Sequence, residues 1–312
     1  MSQNVAERNP IFAVAASPDF ANDGVCFAAR RSGLDRSTSG GVTWESAYAS
    51  LNLSANLPTT AVAFSPDFAS DHTVFAGVQG AILRSVDAGK TWQVHSLPTP
   101  PPLISVLAVS PCFAEDGLVL AGALEDGVFI SRDRGVHWQA SNFGLLDLSV
   151  LAIEFSSSFA SDDTIYVGSS SGIFHSRNAG RAWREIDFPP DCSSIISLVH
   201  LPGALLAGTQ EDGLYRSSDE GRTWHAPTID KGSVDAILYT VKRSNQISRL
   251  VAFVDGYLEF STDEGATWTR RALKLECPAT CIALTREGTF LVGDECGNVV
   301  CIMFGDKTEF EV

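Results

Sequence analysis

Several short stretches carry residue types that chemistry uses. Gly89-Lys90-Thr91 has the ending of a phosphate-binding loop, in which backbone N–H groups cradle phosphates and the lysine meets their charge. That loop needs a glycine five residues before Gly89, where Arg84 stands, and a helix afterwards, where Trp92 continues a strand-like pattern. Gly168-Ser169-Ser170-Ser171-Gly172 matches the nucleophile elbow, which must turn from strand into helix. Ile173-Phe174 instead open another strand, so this stretch reads as a serine-rich hairpin turn. Cys277, Cys281, Cys296 and Cys301 cluster near the end, and four thiolates would suit zinc. In extended chain, however, C-x3-C and C-x4-C hold each pair about 13–17 Å apart. A metal site or one local disulfide stays open there; buried thiols are the expectation for most of the seven cysteines. The six histidines, His72, His95, His137, His175, His200 and His225, form no H-E-x-x-H or other close ligand pair. No residue is assigned to catalysis or to a metal, and no cofactor is expected.

Carboxylates recur at two kinds of turn. One set is Asp19, Asp23, Asp67, Asp71, Glu115, Asp116, Asp162 and Asp163; the other is Glu125, Asp126, Glu211, Asp212, Asp255, Asp294 and Glu295. Asp favours turns for local reasons, since its side chain bonds the backbone a few residues on. The second set has a further reading as a binding rim: carboxylates ringing one face focus negative potential and favour a basic peptide, a basic protein or a cation.

The elements that must position these groups come from a repeat. All six tryptophans close one motif. The copies are Ser37-Thr-Ser39-Gly-Gly-Val-Thr-Trp44, Ser85-Val-Asp87-Ala-Gly-Lys-Thr-Trp92 and Ser131-Arg-Asp133-Arg-Gly-Val-His-Trp138, then Ser176-Arg-Asn178-Ala-Gly-Arg-Ala-Trp183, Ser217-Ser-Asp219-Glu-Gly-Arg-Thr-Trp224 and Ser261-Thr-Asp263-Glu-Gly-Ala-Thr-Trp268. An Asp or Asn in such a turn accepts backbone N–H bonds, and the Trp supplies a large apolar body to pack between sheets. Ser39 and Asn178 at the Asp position can still bond the turn, so the motif is structural. A second motif precedes the first four copies: Ser17-Pro-Asp-Phe20, Ser65-Pro-Asp-Phe68, Ser110-Pro-Cys-Phe113 and Ser156-Ser-Ser-Phe159.

The S-x-D-x-G-x-T-W pattern is the Asp box, and the chain resembles the BNR/Asp-box β-propeller superfamily over nearly its whole length. The second repeat shows four strands: 61–64, Val74–Val78, Ala81–Ser85 and 93–95. After the sixth box, 281–284, 289–293, 298–304 and 308–312 offer four more. The expectation is an all-β, single seven-bladed β-propeller spanning 1–312, with four-stranded antiparallel blades and Asp boxes in blades 1–6. The approximate blades are 10–56, 57–103, 104–148, 149–194, 195–232, 233–276 and 277–312. Closure is expected to pair the last sheet with N-terminal residues near 5–15, because a closed ring removes exposed edges. Pro98-Thr-Pro-Pro-Pro102 is expected to stiffen the connection between the second and third sheets.

Composition narrows the function classes. The 312 residues are 45% hydrophobic and 19% charged, so the chain can bury a large core and is not disordered. No apolar run approaches the roughly 20 residues that span a bilayer. The net charge of −15 disfavours nucleic acid and anionic lipid as direct partners. The first 20 residues lack the long apolar stretch of a signal peptide, and the odd, irregularly spaced cysteines fit a reducing cytoplasm. The leading expectation is a non-catalytic interaction scaffold or recognition subunit, either a monomeric propeller or one subunit of a hetero-complex, binding a protein partner through a propeller face. The resemblance extends to seven-bladed assembly factors of photosystem II, which are scaffolds, although no stretch beyond the short Arg30-Arg31 pair sets several arginines on one face. Two alternatives belong to other classes. Sialidases share the Asp box, but the Phe-Arg-Ile-Pro signature before the first box is absent, with Ile11-Phe-Ala-Val-Ala-Ala16 in its place. Asp-box xyloglucanases set two carboxylates across a cleft between two propellers, and this chain has repeats for one. A glycan or small-ligand site would need exposed aromatics beside polar groups, for which Tyr48, Tyr215, Tyr239 and Tyr257 are candidates.

Overall fold

The computed structural model describes residues 9–98, 100–189, 192–241, 247–304 and 310–311. Short apolar runs separated by tight turns fold into seven four-stranded antiparallel sheets, each in sequence order. Blade 1 holds Ile11–Ala16, Cys26–Arg30, Gly33–Ser37 and Glu45–Ser46. The first strands of the others are Thr59–Phe64, Ile104–Val109, Val150–Phe155, Ile195–Leu201, Val234–Val241 and Ala279–Leu284. Each of these seven first strands lies against that of the next blade, all the way round. The fold is therefore a closed seven-bladed β-propeller. Second strands such as Val74–Val78 and Val119–Ala123 are buried at every residue, which is why they read as continuous small and apolar runs. Fourth strands such as Glu45–Ser46 are short and exposed.

Side chains join neighbouring blades by repeated devices. The Trp92 ring packs edge-on to Phe27 and Tyr48 of the previous blade, and its Nε1 donates to Ala47 O at 2.9 Å. At the channel, Thr60 Oγ1 donates to Ile104 O at 2.6 Å and Ser105 Oγ to Val150 O at 2.5 Å. Glycine on the second strand lets the next blade approach. A Cβ at Gly122 would stand 2.5 Å from Val150 Cγ1.

The seam between blades 7 and 1 uses the same devices, and here the sequence expectation is corrected. Ile11–Ala16 pairs with Cys26–Arg30 of its own blade. The last sheet is completed by Phe310–Glu311 on Val299–Phe304. No strand is exchanged among the described residues; residues 5–8 of the expected closing segment lie outside them. The physical reason is that residues 11–16 satisfy their backbone within a full four-stranded blade. Thr280 Oγ1 donates to Ile11 O at 2.6 Å, and a Cβ at Gly293 would stand 2.6 Å from Ile11 Cγ2, so side-chain packing closes the ring.

The Ser-x-x-Phe motif forms one-turn helices, Phe20–Asp23, Phe68–Asp71, Phe113–Asp116 and Phe159–Asp162, where the sequence suggested only acidic turns. Ser65 Oγ accepts from Asp67 N and donates to Asp71 Oδ2 at 2.6 Å, while Asp71 Oδ1 takes Thr73 N. Phe68 and Phe113 anchor these turns in the core.

Cys277 and Cys296 form a disulfide, with Cα atoms 6.1 Å apart. This corrects the reading of these two as buried thiols. Spacing along one strand separates C-x3-C pairs, but the bond joins two strand ends, and the register Ala279↔Asp294 brings those ends together. The other five cysteines are free thiols, and burial pushes Cys26 up to about 12 and Cys281 up to about 11.

Candidate interaction face and channel

Antiparallel strands put the turns between strands two and three at the same end as the connections between blades. Hydrogen bonds tie the two sets into one surface, here called the connector face. Gly80 N donates to Pro102 O, Gly127 N to Leu148 O, Gly232 N to Glu211 O, Asp255 N to Ser233 O and Glu295 N to Pro278 O. The opposite end carries the one-turn helices and the Asp boxes.

All seven rim carboxylates lie at these turns, in blades 3, 5, 6 and 7. Their roles differ. Glu125, Glu211 and Asp255 are exposed, and Asp126, Asp212 and Glu295 are half-buried. Asp294 is buried and accepts from Cys296 N, Asn298 N and Asn298 Nδ2, so it holds its own turn. Asp212 Oδ2 accepts Ser193 N at 2.7 Å, which lowers its pKa, and Asp255 Oδ1 accepts Ser233 N at 3.0 Å. Pro102 fixes the proline-rich connection to Gly80; Thr99 of that stretch lies outside the described residues.

Sequence reasoning missed a set of groups on the same face. Asp147 holds the connection from blade 3 to blade 4: it accepts Ser149 N, Ser170 Oγ and Ser171 N at 2.8–2.9 Å. Those donors keep its carboxyl below the usual range despite partial burial. In the same connection Phe143 and Leu146 are 81% and 78% exposed, and Phe143 O accepts Trp183 N at the end of the blade-4 Asp box. The available signal was the run Phe143-Gly-Leu-Leu-Asp-Leu148 in a connection, where polar residues are the norm. At the channel mouth, Pro10, Ile11, Phe12, Thr280 and Glu295 line a cavity of about 450 Å³.

Glu154 was also missed. Ala15, Ala63 and Ala108 stand where Glu154 does relative to the serine of the Ser-x-x-Phe motif. Its Oε1 accepts the backbone N–H of His200 at 3.2 Å, and burial lifts its carboxyl to about 8. The His200 ring stacks on Tyr166 with centroids 5.3 Å apart, and its Nδ1 accepts Ser157 N at 2.9 Å. That bond leaves the ring proton on Nε2, and burial lowers the pKa of His200.

The other sequence candidates resolve into structure. Lys90 N and Thr91 N donate to Asp87 Oδ1, so the amides of the P-loop-like stretch are already occupied. Ser169 Oγ donates to Gly172 O inside a hairpin turn. His137 Nδ1 sits 2.6 Å from Asp133 Oδ2, in place of the box threonine. Tyr48 is buried, with its hydroxyl 2.9 Å from Thr59 Oγ1, which removes it from the aromatic candidates for a glycan site. Tyr215 bonds Cys192 Sγ, and Tyr239 and Tyr257 remain partly exposed.

Asp263 shows the box at work. It accepts Ser261 Oγ, Thr267 N and Thr267 Oγ1 at 2.6–2.9 Å, and the Thr267 hydroxyl leads the bonds that hold its carboxyl down to about 2. Ser39 and Asn178 accept the corresponding N–H groups of Thr43 and Ala182.

Six boxes on a closed ring of seven sheets define a BNR-repeat β-propeller. Residues 106–253 match the profile of a family described as photosynthesis system II assembly factor YCF48. No curated protein matches the sequence. Among solved structures, the fold is similar to the GH74 xyloglucanase from Xanthomonas campestris, at 19% identity and a TM-score of 0.72 over 96% of this chain and 53% of that one. It is similar to YCF48 bound to D1 peptide, at 15% identity and a TM-score of 0.66 over 96% and 93%. An extracellular domain of a one-component system from B. thetaiotaomicron matches at 14% identity and a TM-score of 0.70 over 95% and 38%. The chain thus spans about half or less of the xyloglucanase and the one-component system. At these identities the likeness is one of fold.

Proposed function

We propose that the protein is a non-catalytic scaffold or recognition subunit that binds a protein partner through its connector face. One observation carries this reading. The recurrent polar groups of the repeat are consumed by turns and seams, while the connector face keeps exposed carboxylates and apolar side chains on a rigid ring. Rigid scaffolds that present variable connections are suited to recognition. The match of residues 106–253 to an assembly-factor profile and the likeness to a peptide-bound propeller support the same reading. A hydrolase would need two carboxylates at a working separation of about 5–9.5 Å with one held protonated. Two carboxyls on first strands are raised by burial, Glu154 and Asp235, and each is engaged by its own partner, the His200 amide and the Ser233 hydroxyl.

The test is cross-linking and purification of the tagged protein from its native cells, together with a panel of glycoside substrates. A stoichiometric protein partner and no turnover are expected. Clear glycoside turnover, or no partner under mild salt, would overturn the proposal.

A further inference from the structure

The four cysteines of the last repeat divide into two couples. Cys281 and Cys301 lie in the seam with blade 1, where their thiols donate to Ile11 O and Gly40 O. Cys277 and Cys296 stand on the connector face, two residues beyond the paired ends Ala279 and Asp294. A third group joins them there. A carboxylate oxygen of Asp294 and the two sulfurs all lie within 4.8 Å of one another.

Asp294 departs from the pattern of the other blades. It pairs with the first residue of its blade's first strand, and the residues at that register position in blades 1 to 6 are Arg30, Val78, Ala123, Ser169, Thr209 and Val254. Ser169 and Thr209 bond their turns through one hydroxyl, and valine or alanine serves in three other blades. The turn therefore needs no carboxylate, and burying one is costly. Asp294 is nevertheless only 3% exposed. Cys296 N, Asn298 N and Asn298 Nδ2 donate to it at 2.8–3.0 Å and fix its orientation. A carboxylate offers about four acceptor directions, so capacity remains for a ligand. Cys296 is exposed and Cys277 half-buried, so a reductant and a metal ion can both reach the pair.

We propose that Cys277, Cys296 and Asp294 form a zinc site that the disulfide closes and reduction opens. Two thiolates and a carboxylate are donors that zinc favours, and a water completes four-coordination. Zinc–sulfur bonds of about 2.3 Å at the tetrahedral angle set the two sulfurs about 3.8 Å apart. Cα atoms 6.1 Å apart allow that span by side-chain rotation alone. The steps balance. A dithiol reductant gives two electrons and two protons, becomes a disulfide itself and leaves Cys277 and Cys296 as thiols. The zinc ion then displaces both thiol protons to solvent and forms two Zn–S bonds. The site goes beyond the scaffold reading and does not depend on it.

The experiment titrates zinc ion alone into the full chain, oxidised and reduced, against a chromophoric zinc indicator, with the reductant removed beforehand. Cys26, Cys112, Cys192, Cys281 and Cys301 are free thiols in both states, so the oxidised protein is the control for every other sulfur. The reduced protein should take up one zinc more than the oxidised protein. Cobalt ion in the same site should show the charge-transfer absorption of metal–thiolate bonds. Cys277→Ser and Cys296→Ser should each abolish the extra zinc. Asp294→Asn should weaken it at least about tenfold, since even residues that only support a ligand are worth that much. Its amide oxygen can still accept Cys296 N and Asn298 N, and an unchanged thermal midpoint verifies folding. If that variant unfolds, the two cysteine variants still decide. No zinc gained on reduction, equal uptake by Cys277→Ser, or unchanged affinity in folded Asp294→Asn would each overturn the site.

Discussion

Residue by residue, most of the chemistry-bearing groups of this chain are spent on shape. The Asp box makes the point quantitative. Asp263 is ionised in the native turn down to about pH 2, whereas an unfolded Asp titrates near 3.9. A depressed native pKa contributes stability that is fully present above the unfolded value and is lost as pH falls through the native one. Asp263→Ala should lower stability by about 1 kcal/mol at neutral pH, since the bonds it accepts are exposed and water replaces them in part. Asp263→Asn should cost less, because Asn178 already serves the fourth box by accepting Arg181 N and Ala182 N. Urea titrations should find the gap between wild type and Asp263→Asn constant above about pH 5 and narrowing toward pH 2. A gap independent of pH across that window would show that the carboxylate charge contributes nothing to the turn.

At the level of strands, turns and connections, legibility in the sequence followed periodicity. The box spacing and the two-residue alternation revealed the blades, since both are regular and repeated. The one-turn helices such as Phe68–Asp71 were not legible, because four residues are too few to show a helical period. The disulfide was hidden for a different reason. Cys277 and Cys296 are 19 residues apart, and only the register of their two strands brings them together. Closing a loop of this size stabilises a fold by about 3 kcal/mol. Cys277→Ser should therefore lower the stability of the oxidised protein by that order and leave the reduced protein unchanged, as read by urea unfolding with and without reductant. Equal losses in both states would mean that Cys277 acts by packing alone. The outward apolar loop was missed because an apolar run such as residues 143–148 in a sequence resembles a strand, and only the fold shows it on a connection.

For the ring as a whole, the blade interfaces differ in whether a connection between strands crosses them. Among the described residues, six of the seven blade interfaces are crossed by a covalent connection, and the seventh is held by side-chain contacts, among them Thr280 and Cys281 on Ile11 and Cys301 on Gly40. Stability in a repeat architecture is close to a sum of nearest-neighbour interfaces, so the uncrossed interface is the one whose loss opens the ring without breaking the chain. Gly293 and Gly122 are equivalent positions with similar crowding, 2.6 Å to Ile11 and 2.5 Å to Val150. A methyl at either overpacks its interface, which costs about 1–3 kcal/mol. The consequences should nevertheless differ. Gly122→Ala strains blades 3 and 4 while residues 141–149 still tether them. Gly293→Ala strains an interface with no tether among the described residues, so blades 7 and 1 should part. Hydrogen exchange should rise sharply in Ile11–Ala16 and Ala279–Leu284 of Gly293→Ala, and only weakly in Ile104–Val109 and Val150–Phe155 of Gly122→Ala. Equal protection in the two variants would mean that the blades behave as one cooperative unit, and that side-chain packing alone holds the seam as firmly as a covalent connection.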